Sequence, residues 1–225
     1  MKLFQIRQTN SLFLSAYRNL DIDNFKKLAK ICSVISFRYN IIGGLNPNAQ
    51  EDVYNSVALK IASAKIFAPI DFQDIYVSDL SFENDFSTKE FKNTSRNHKI
   101  VKYILSKIEV YQYKNEIDPE SDLFTIEHIL PENANDTWGE FTFEEINRSV
   151  YRIGNLTLLE KKLNREADQK PYSEKNNFFQ QSNSELTKSI PEHFNTWSED
   201  KLASRQRELA KHAKSIWKIQ ELSIV

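Results

Sequence analysis

The sequence predicts a mainly α fold (α+β in detail): a helical domain with one small strand–strand–helix unit inserted at about residues 123–168. Three observations predict it. Gly and Pro number only 4 and 6 in 225 residues, too few for a turn-rich β fold, whose tight turns depend on them. Several long segments carry apolar residues at helical spacing. Two short β-like runs, LFTIEHILP (123–131) and VYRIGNLTLL (150–159), lie close together, with a helical segment directly after the second.

Residues 22–38 read as a helix, with Phe25, Leu28, Cys32 and Ile35 on one face and Asp21 or Asp23 as its cap. Residues 50–65 read the same way through Val53, Val57, Ile61 and Ala64. The Gly-Gly and Asn-Pro pairs of IIGGLNPNAQ (41–50) mark a loop between them. Residues 70–95 show no period and read as irregular. A helix over 97–113 turns Val101, Ile104, Leu105 and Ile108 inward, and KNEIDPESD (114–122) is a polar break. Pro131 closes the first β-like run. TFEEINRS (142–149) carries a capping box, Thr142 with Glu145. LEKKLNREAD (159–168) is helical. The last helix, 199–219, aligns Leu202, Leu209, Ala213 and Ile216.

Lys and Arg total 30 against 31 for Asp and Glu, a net charge of −1. An isolated DNA-binding domain is usually basic, so nucleic-acid contact here has to come from local patches. Two segments qualify: 88–102 carries a net +4 and 201–218 a net +5. One cysteine, Cys32, excludes an internal disulfide framework and zinc sites built from cysteine pairs, and fits a reducing, cytoplasmic setting. The opening MKLFQIRQTNSLFLSAYRNL is too interrupted for a signal peptide. No stretch approaches the roughly 20 apolar residues that span a bilayer.

Chemistry-bearing residues concentrate in the inserted unit. Glu127-His128 ends a hydrophobic run just before a Pro-terminated turn, where a strand edge can present a side chain to a cleft. Asn155 sits within a hydrophobic run and Asn164 within a helical one, both poor local choices. Either could be a turn or a solvated position by itself, and a lone His is usually structural. Three locally unfavourable choices in one small unit suggest a site, since local rules are broken most often where function requires it.

The strings IEHILPE (126–132), RIGNLTLLEKKLN (152–164) and KPYSEK (170–175) resemble the HNH nuclease domain at the C-terminus of GmrSD-type, modification-dependent restriction enzymes. KNTSRNHKIVKYILSKIE (92–109) resembles the helix before that family's site, and the tail from Trp197 through Arg205 to Trp217 its closing segment. SFRYNIIGG (36–44) is similar to the connector that precedes the nuclease. The resemblance covers about residues 80–220. It implies a helical connector region over 1–80 and a nuclease domain over 81–225, with the unit at 123–168 being a ββα-metal (His-Me finger) element.

The resemblance also implies roles. His128 is the general base and Asn155 holds the histidine-bearing loop by hydrogen bonds. Glu127 and Asn164 bind a metal ion, Mg²⁺ or Mn²⁺, and DNA is the substrate, in defence against modified or foreign DNA. It implies as partner an N-terminal nucleotide-using recognition domain or subunit, the chain being a C-terminal piece or a stand-alone nuclease subunit. Arg152, Lys170 and Lys175, cations near these motifs, are the candidate phosphate contacts.

The residue types agree with this chemistry. One carboxylate and one amide suit a hard cation that keeps waters and room for phosphate oxygens. A histidine with an ordinary pKa near ~6.5 can serve as a base at neutral pH. A zinc peptidase of the H-E-x-x-H type and a G-x-S-x-G hydrolase are excluded by the absence of those motifs. Two alternatives remain open: a DNA-binding or assembly module with a silenced nuclease site, and an RNA nuclease.

Overall fold

The computed structural model describes residues 3–4, 6–139 and 141–223. It is mainly helical, with one two-stranded sheet among the described residues. No helix among the described residues is long and apolar enough to cross a membrane. Contacts divide the chain into two compact units. One runs to Asp85 and includes the residues from Trp217 on; the other is Phe86–Ile216.

In the first unit, α1 (Asn10–Asn19), α2 (Ile22–Ser36) and α3 (Glu51–Ala64) bury Leu12, Leu28, Cys32, Ile35, Tyr54 and Ile61. Asp21 is the α2 cap, accepting from the Asn24 amide at 2.8 Å, and the helix runs on into a π-helical turn, Phe37–Ile42. Arg38 in that turn is wholly buried. Its guanidinium donates to the carbonyls of Trp217 and Val77 and to Asp79 at 2.5, 2.7 and 2.6 Å. It also lies over the rings of Tyr76 and Phe82. A charge survives such burial only when its donors are satisfied.

The segment 70–95, expected to be irregular, is ordered. A 3-10 turn, Pro69–Ile75, leads to α4 (Asp79–Thr88). Only Phe82 and Phe86 of α4 are buried. One apolar pair, four residues apart, among Asp, Ser, Glu and Asn gives a window too polar to show a period.

The second unit holds α5 (Ser95–Tyr113), β1 (Phe124–His128), α6 (Phe143–Ser149), β2 (Leu156–Glu160), α7 (Lys161–Ala167), α8 (Tyr172–Phe179), α9 (Glu185–His193) and α10 (Glu199–Ile216). The Thr142–Glu145 capping box starts α6. β1 pairs antiparallel with β2, from Phe124 opposite Glu160 to His128 opposite Leu156, and α7 follows β2 without a loop. The core beneath them gathers Ile129, Leu130, Trp138, Leu159, Tyr172 and Trp197.

The second β-like run is shorter than its sequence suggests. Ile153–Asn155 is a 3-10 turn and only Leu156–Glu160 is strand. The cause is the approach of α10. A Cβ on Gly154 would lie 2.6 Å from the Leu202 carbonyl oxygen and 2.7 Å from the Gln206 Cβ. Arg205 of α10 donates to the carbonyls of Gly154 and Leu156 at 2.7 and 2.9 Å. Helix contacts thus take the hydrogen-bonding capacity that would have extended the strand.

Candidate functional site

β1 delivers the first two candidate residues. Its alternation puts Phe124, Ile126 and His128 on one face and Thr125 and Glu127 on the other. α7 lies along the strand, and the Asn164 amide donates to the Ile126 carbonyl at 3.0 Å. That bond uses the Nδ2 end of Asn164. Glu127, His128 and Asn164 line one cavity of about 500 Å³, together with Glu132, Arg165 and Asp168.

Asn155 is fully buried and grips the segment that follows His128. It accepts from the Leu130 amide at 2.8 Å and donates to the carbonyls of Leu130 and Val150 at 2.8 and 3.1 Å. The Trp197 indole donates to the same Asn155 oxygen at 3.2 Å, and the Asn155 carbonyl accepts from Ile129 at 2.9 Å. The backbone around His128 is therefore held from both sides by one side chain and its own peptide.

The His128 ring is only about one-fifth exposed, and its Nε2 lies 3.4 Å from Glu132 Oε1. Asn93 donates to that same oxygen at 2.9 Å, and the Tyr151 ring meets the imidazole edge-on at 6.0 Å. Burial holds the His128 pKa down at about 4, helped by the positive charge of Lys175 and by the neighbouring His98 ring. The ring is neutral at pH 7 and keeps a lone pair on one nitrogen.

The structure corrects the assignment of Lys175 to phosphate. The side chain is fully buried. From α8 its ammonium reaches Glu127 Oε1 at 2.6 Å and the His128 carbonyl at 2.7 Å. It faces the interior and braces the site from beneath. Burial drives the Glu127 carboxyl up to about 7, against the pull of Lys175, and burial lowers the Lys175 pKa against the pull of Glu127. A fully buried lysine cannot be told from a surface one by the pattern KPYSEK.

Arg152 is half committed to the interior, donating to Gln206 at 3.0 Å and to the Ser87 carbonyl at 3.0 Å. Lys170 is part-exposed, 3.9 Å from Glu174, one residue beyond the cavity-lining Gln169.

Three residues at the site were missed from sequence. Glu132 was readable, four residues past His128 within IEHILPE. His98 lines a second cavity on which His128 also borders, and it lies 30 residues before His128, on α5, so nothing local signals it. Asp168 closes α7 with φ 40° and ψ −125°, a positive-φ conformation outside the left-handed helical region and rare for any residue but Gly. Backbone strain of this kind costs roughly 1–3 kcal/mol and clusters at functional sites. Asp168 faces the cavity beside Glu127.

The donor set fits a hard cation. The groups available are carboxylate and amide oxygens, the choice of Mg²⁺ and Mn²⁺. Among the described residues no three of the His, Cys, Asp and Glu side chains converge as a metal cage.

Residues 76–212 match the family described as GmrSD restriction endonucleases, C-terminal domain. The chain belongs to this family. Every candidate site residue falls within the matched span, from His98 in α5 to Lys175 in α8. No curated protein matches the chain. Membership points to a restriction-endonuclease type of role for the GmrSD-type domain, and the cavity between β1 and α7 is where its chemistry-bearing side chains meet.

Proposed function

We propose that this GmrSD-type domain is a metal-dependent endonuclease that hydrolyses DNA phosphodiester bonds through an HNH site, the unit β1–β2–α7 acting as its His-Me finger. The observation that carries the reading is the meeting of neutral His128, Glu127 and Asn164 on one open cavity, in a chain of a restriction-endonuclease family.

In this reading His128 is the general base. Its Nε2 lies 3.4 Å from Glu132 Oε1; with the proton of the neutral ring on Nε2, the Nδ1 lone pair would accept a proton from the attacking water. Asn155 and Lys175 keep the His128 backbone in place, so the ring needs no reorganisation when water attacks. Glu127 and the Asn164 carbonyl oxygen would hold the divalent cation, which when bound neutralises charge on the phosphate and on the leaving oxygen. Family membership supports a role in restriction; the reading extends it to modified or foreign DNA, in a reducing cytoplasm, with recognition supplied by an N-terminal nucleotide-using domain or subunit. The part-exposed Lys170 is the remaining sequence candidate for a phosphate contact, with Arg152 a lesser one.

One observation favours a second reading. Lys175 occupies Glu127 Oε1, and a carboxylate held this way is a weaker metal ligand, so the site could be silent until its environment changes. Supercoiled plasmid incubated with Mg²⁺, with Mn²⁺ and with EDTA separates the two. Nicking or linearisation that needs metal supports the nuclease. An intact plasmid under every metal, with DNA binding retained, supports the silenced site.

A further inference from the structure

His128 stands between two cavities of opposite electrical character. On one side is the cavity of about 500 Å³ that receives Glu127, Glu132 and Asp168, with Arg165 its one Lys or Arg. On the other is a cavity of about 360 Å³ lined by His98, Lys102 and Lys161, with Asn93 on its wall and Asp122 its only acid. His128 borders both.

The basic cavity is built from three elements: His98 and Lys102 from α5, Lys161 from the β2–α7 junction, and the β1 face that carries Phe124, Ile126 and His128. Lys161 and His98 are exposed, and among the described residues neither forms a side-chain hydrogen bond or ion pair. Lys102 is partly spent, giving one ammonium proton to the Ser121 carbonyl at 2.6 Å. Two donors are left uncommitted, in a protein whose lysines elsewhere pair repeatedly with neighbouring carboxylates, as at Lys60, Lys188 and Lys211.

The electrostatics of a polyanion passing His128 then follow. On the acidic side Glu132 and Asp168 outweigh the one lining cation, Arg165, with Glu127 paired to Lys175, so unaided affinity for phosphate is not expected from there. It has to come from the neighbouring cations. We propose that the basic cavity seats a DNA backbone phosphate flanking the one that is cut. Lys161 and Lys102 supply the charge and His98 an N–H donor, and the strand crosses His128 from the basic cavity to the acidic one. This rests on the reading of His128 as the base of a nuclease. It assigns Lys161, His98 and Lys102 in place of the buried Lys175.

The experiment measures binding without cleavage. A fluorescein-labelled DNA duplex is titrated with the whole chain in EDTA, by anisotropy, at several salt concentrations. The proteins are wild type, Lys161→Glu, the double variant Lys161→Ala/His98→Ala, and a control, Lys27→Glu, exposed on α2 in the other unit. Lys161 and His98 are exposed, so both variants are expected to fold, and melting curves verify it. The expected result is binding at least about fivefold weaker for both site variants, with the slope of log affinity against log salt reduced by about one, and no change for Lys27→Glu. Site variants that bind like wild type, or a control that weakens binding equally, overturn the subsite and leave the nuclease reading standing. A wild type that binds no duplex overturns both.

Discussion

Asn155→Ala is the substitution whose consequences can be worked furthest. The alanine removes two accepted and two donated bonds and leaves four partners inside the protein: the Leu130 amide and carbonyl, the Val150 carbonyl and the Trp197 indole N–H. Each buried polar group left without a partner costs about 1–3 kcal/mol. The four do not add fully, because relaxation lets some re-pair, so a loss of roughly 3–5 kcal/mol is expected. A domain holds only about 5–15 kcal/mol in total, so the midpoint of urea unfolding, followed by tryptophan fluorescence, has to fall clearly. Hydrogen exchange at the Leu130 amide has to accelerate more than exchange in α5. An alanine variant within about 1 kcal/mol of wild type would refute the reasoning.

Other perturbations give equally specific outcomes. Lys175→Ala strands the buried Glu127 carboxyl and should cost about 3–5 kcal/mol, while Lys175→Met with Glu127→Gln should recover much of that loss; unfolding curves of the three proteins decide it. Gly154→Ala forces a Cβ to within 2.6 Å of the Leu202 carbonyl, and overpacking of this kind should cost about 1–3 kcal/mol, read as a lower melting temperature. The lowered His128 pKa sets a sign. Below its ordinary pKa the unfolded chain binds a proton that the folded chain refuses until about pH 4, so stability falls with pH across that window. Metal-free wild type should therefore lose up to roughly 3 kcal/mol relative to His128→Ala between about pH 7 and 4. The opposite contribution of Glu127 is common to both proteins and drops out, and parallel acid titrations of stability check the difference. Glu132→Gln keeps an acceptor for Nε2–H and should retain cleavage better than Glu132→Leu, the comparison being single-turnover rates.

Much of the site region was legible because its signals are local. The Thr142–Glu145 box, the Asp21 cap and the long amphipathic helices follow from spacing alone, and each stands in the structure. Glu127, His128 and Asn164 share a cavity because a β1–β2 pair followed at once by α7 brings the end of one element against the middle of another. What the sequence hid was decided by tertiary contact. Gly154 reads as a strand residue until α10 presses on it. Lys175 reads as a surface cation until α8 aims it at Glu127. His98 belongs to a helix whose own pattern says only that it is amphipathic. α4 is held by two phenylalanines in a polar window, a signal too small to register against its neighbours.

The central claim is that His128 takes the proton from the attacking nucleophile, and chemical rescue tests it most directly. Single-turnover cleavage of supercoiled plasmid in Mn²⁺ is compared for wild type and His128→Gly, without and with added imidazole. Cleavage that is lost in His128→Gly and partly restored by imidazole is the expected result. A His128→Gly protein that cuts at the wild-type rate without imidazole contradicts the claim and moves the base elsewhere in the chain.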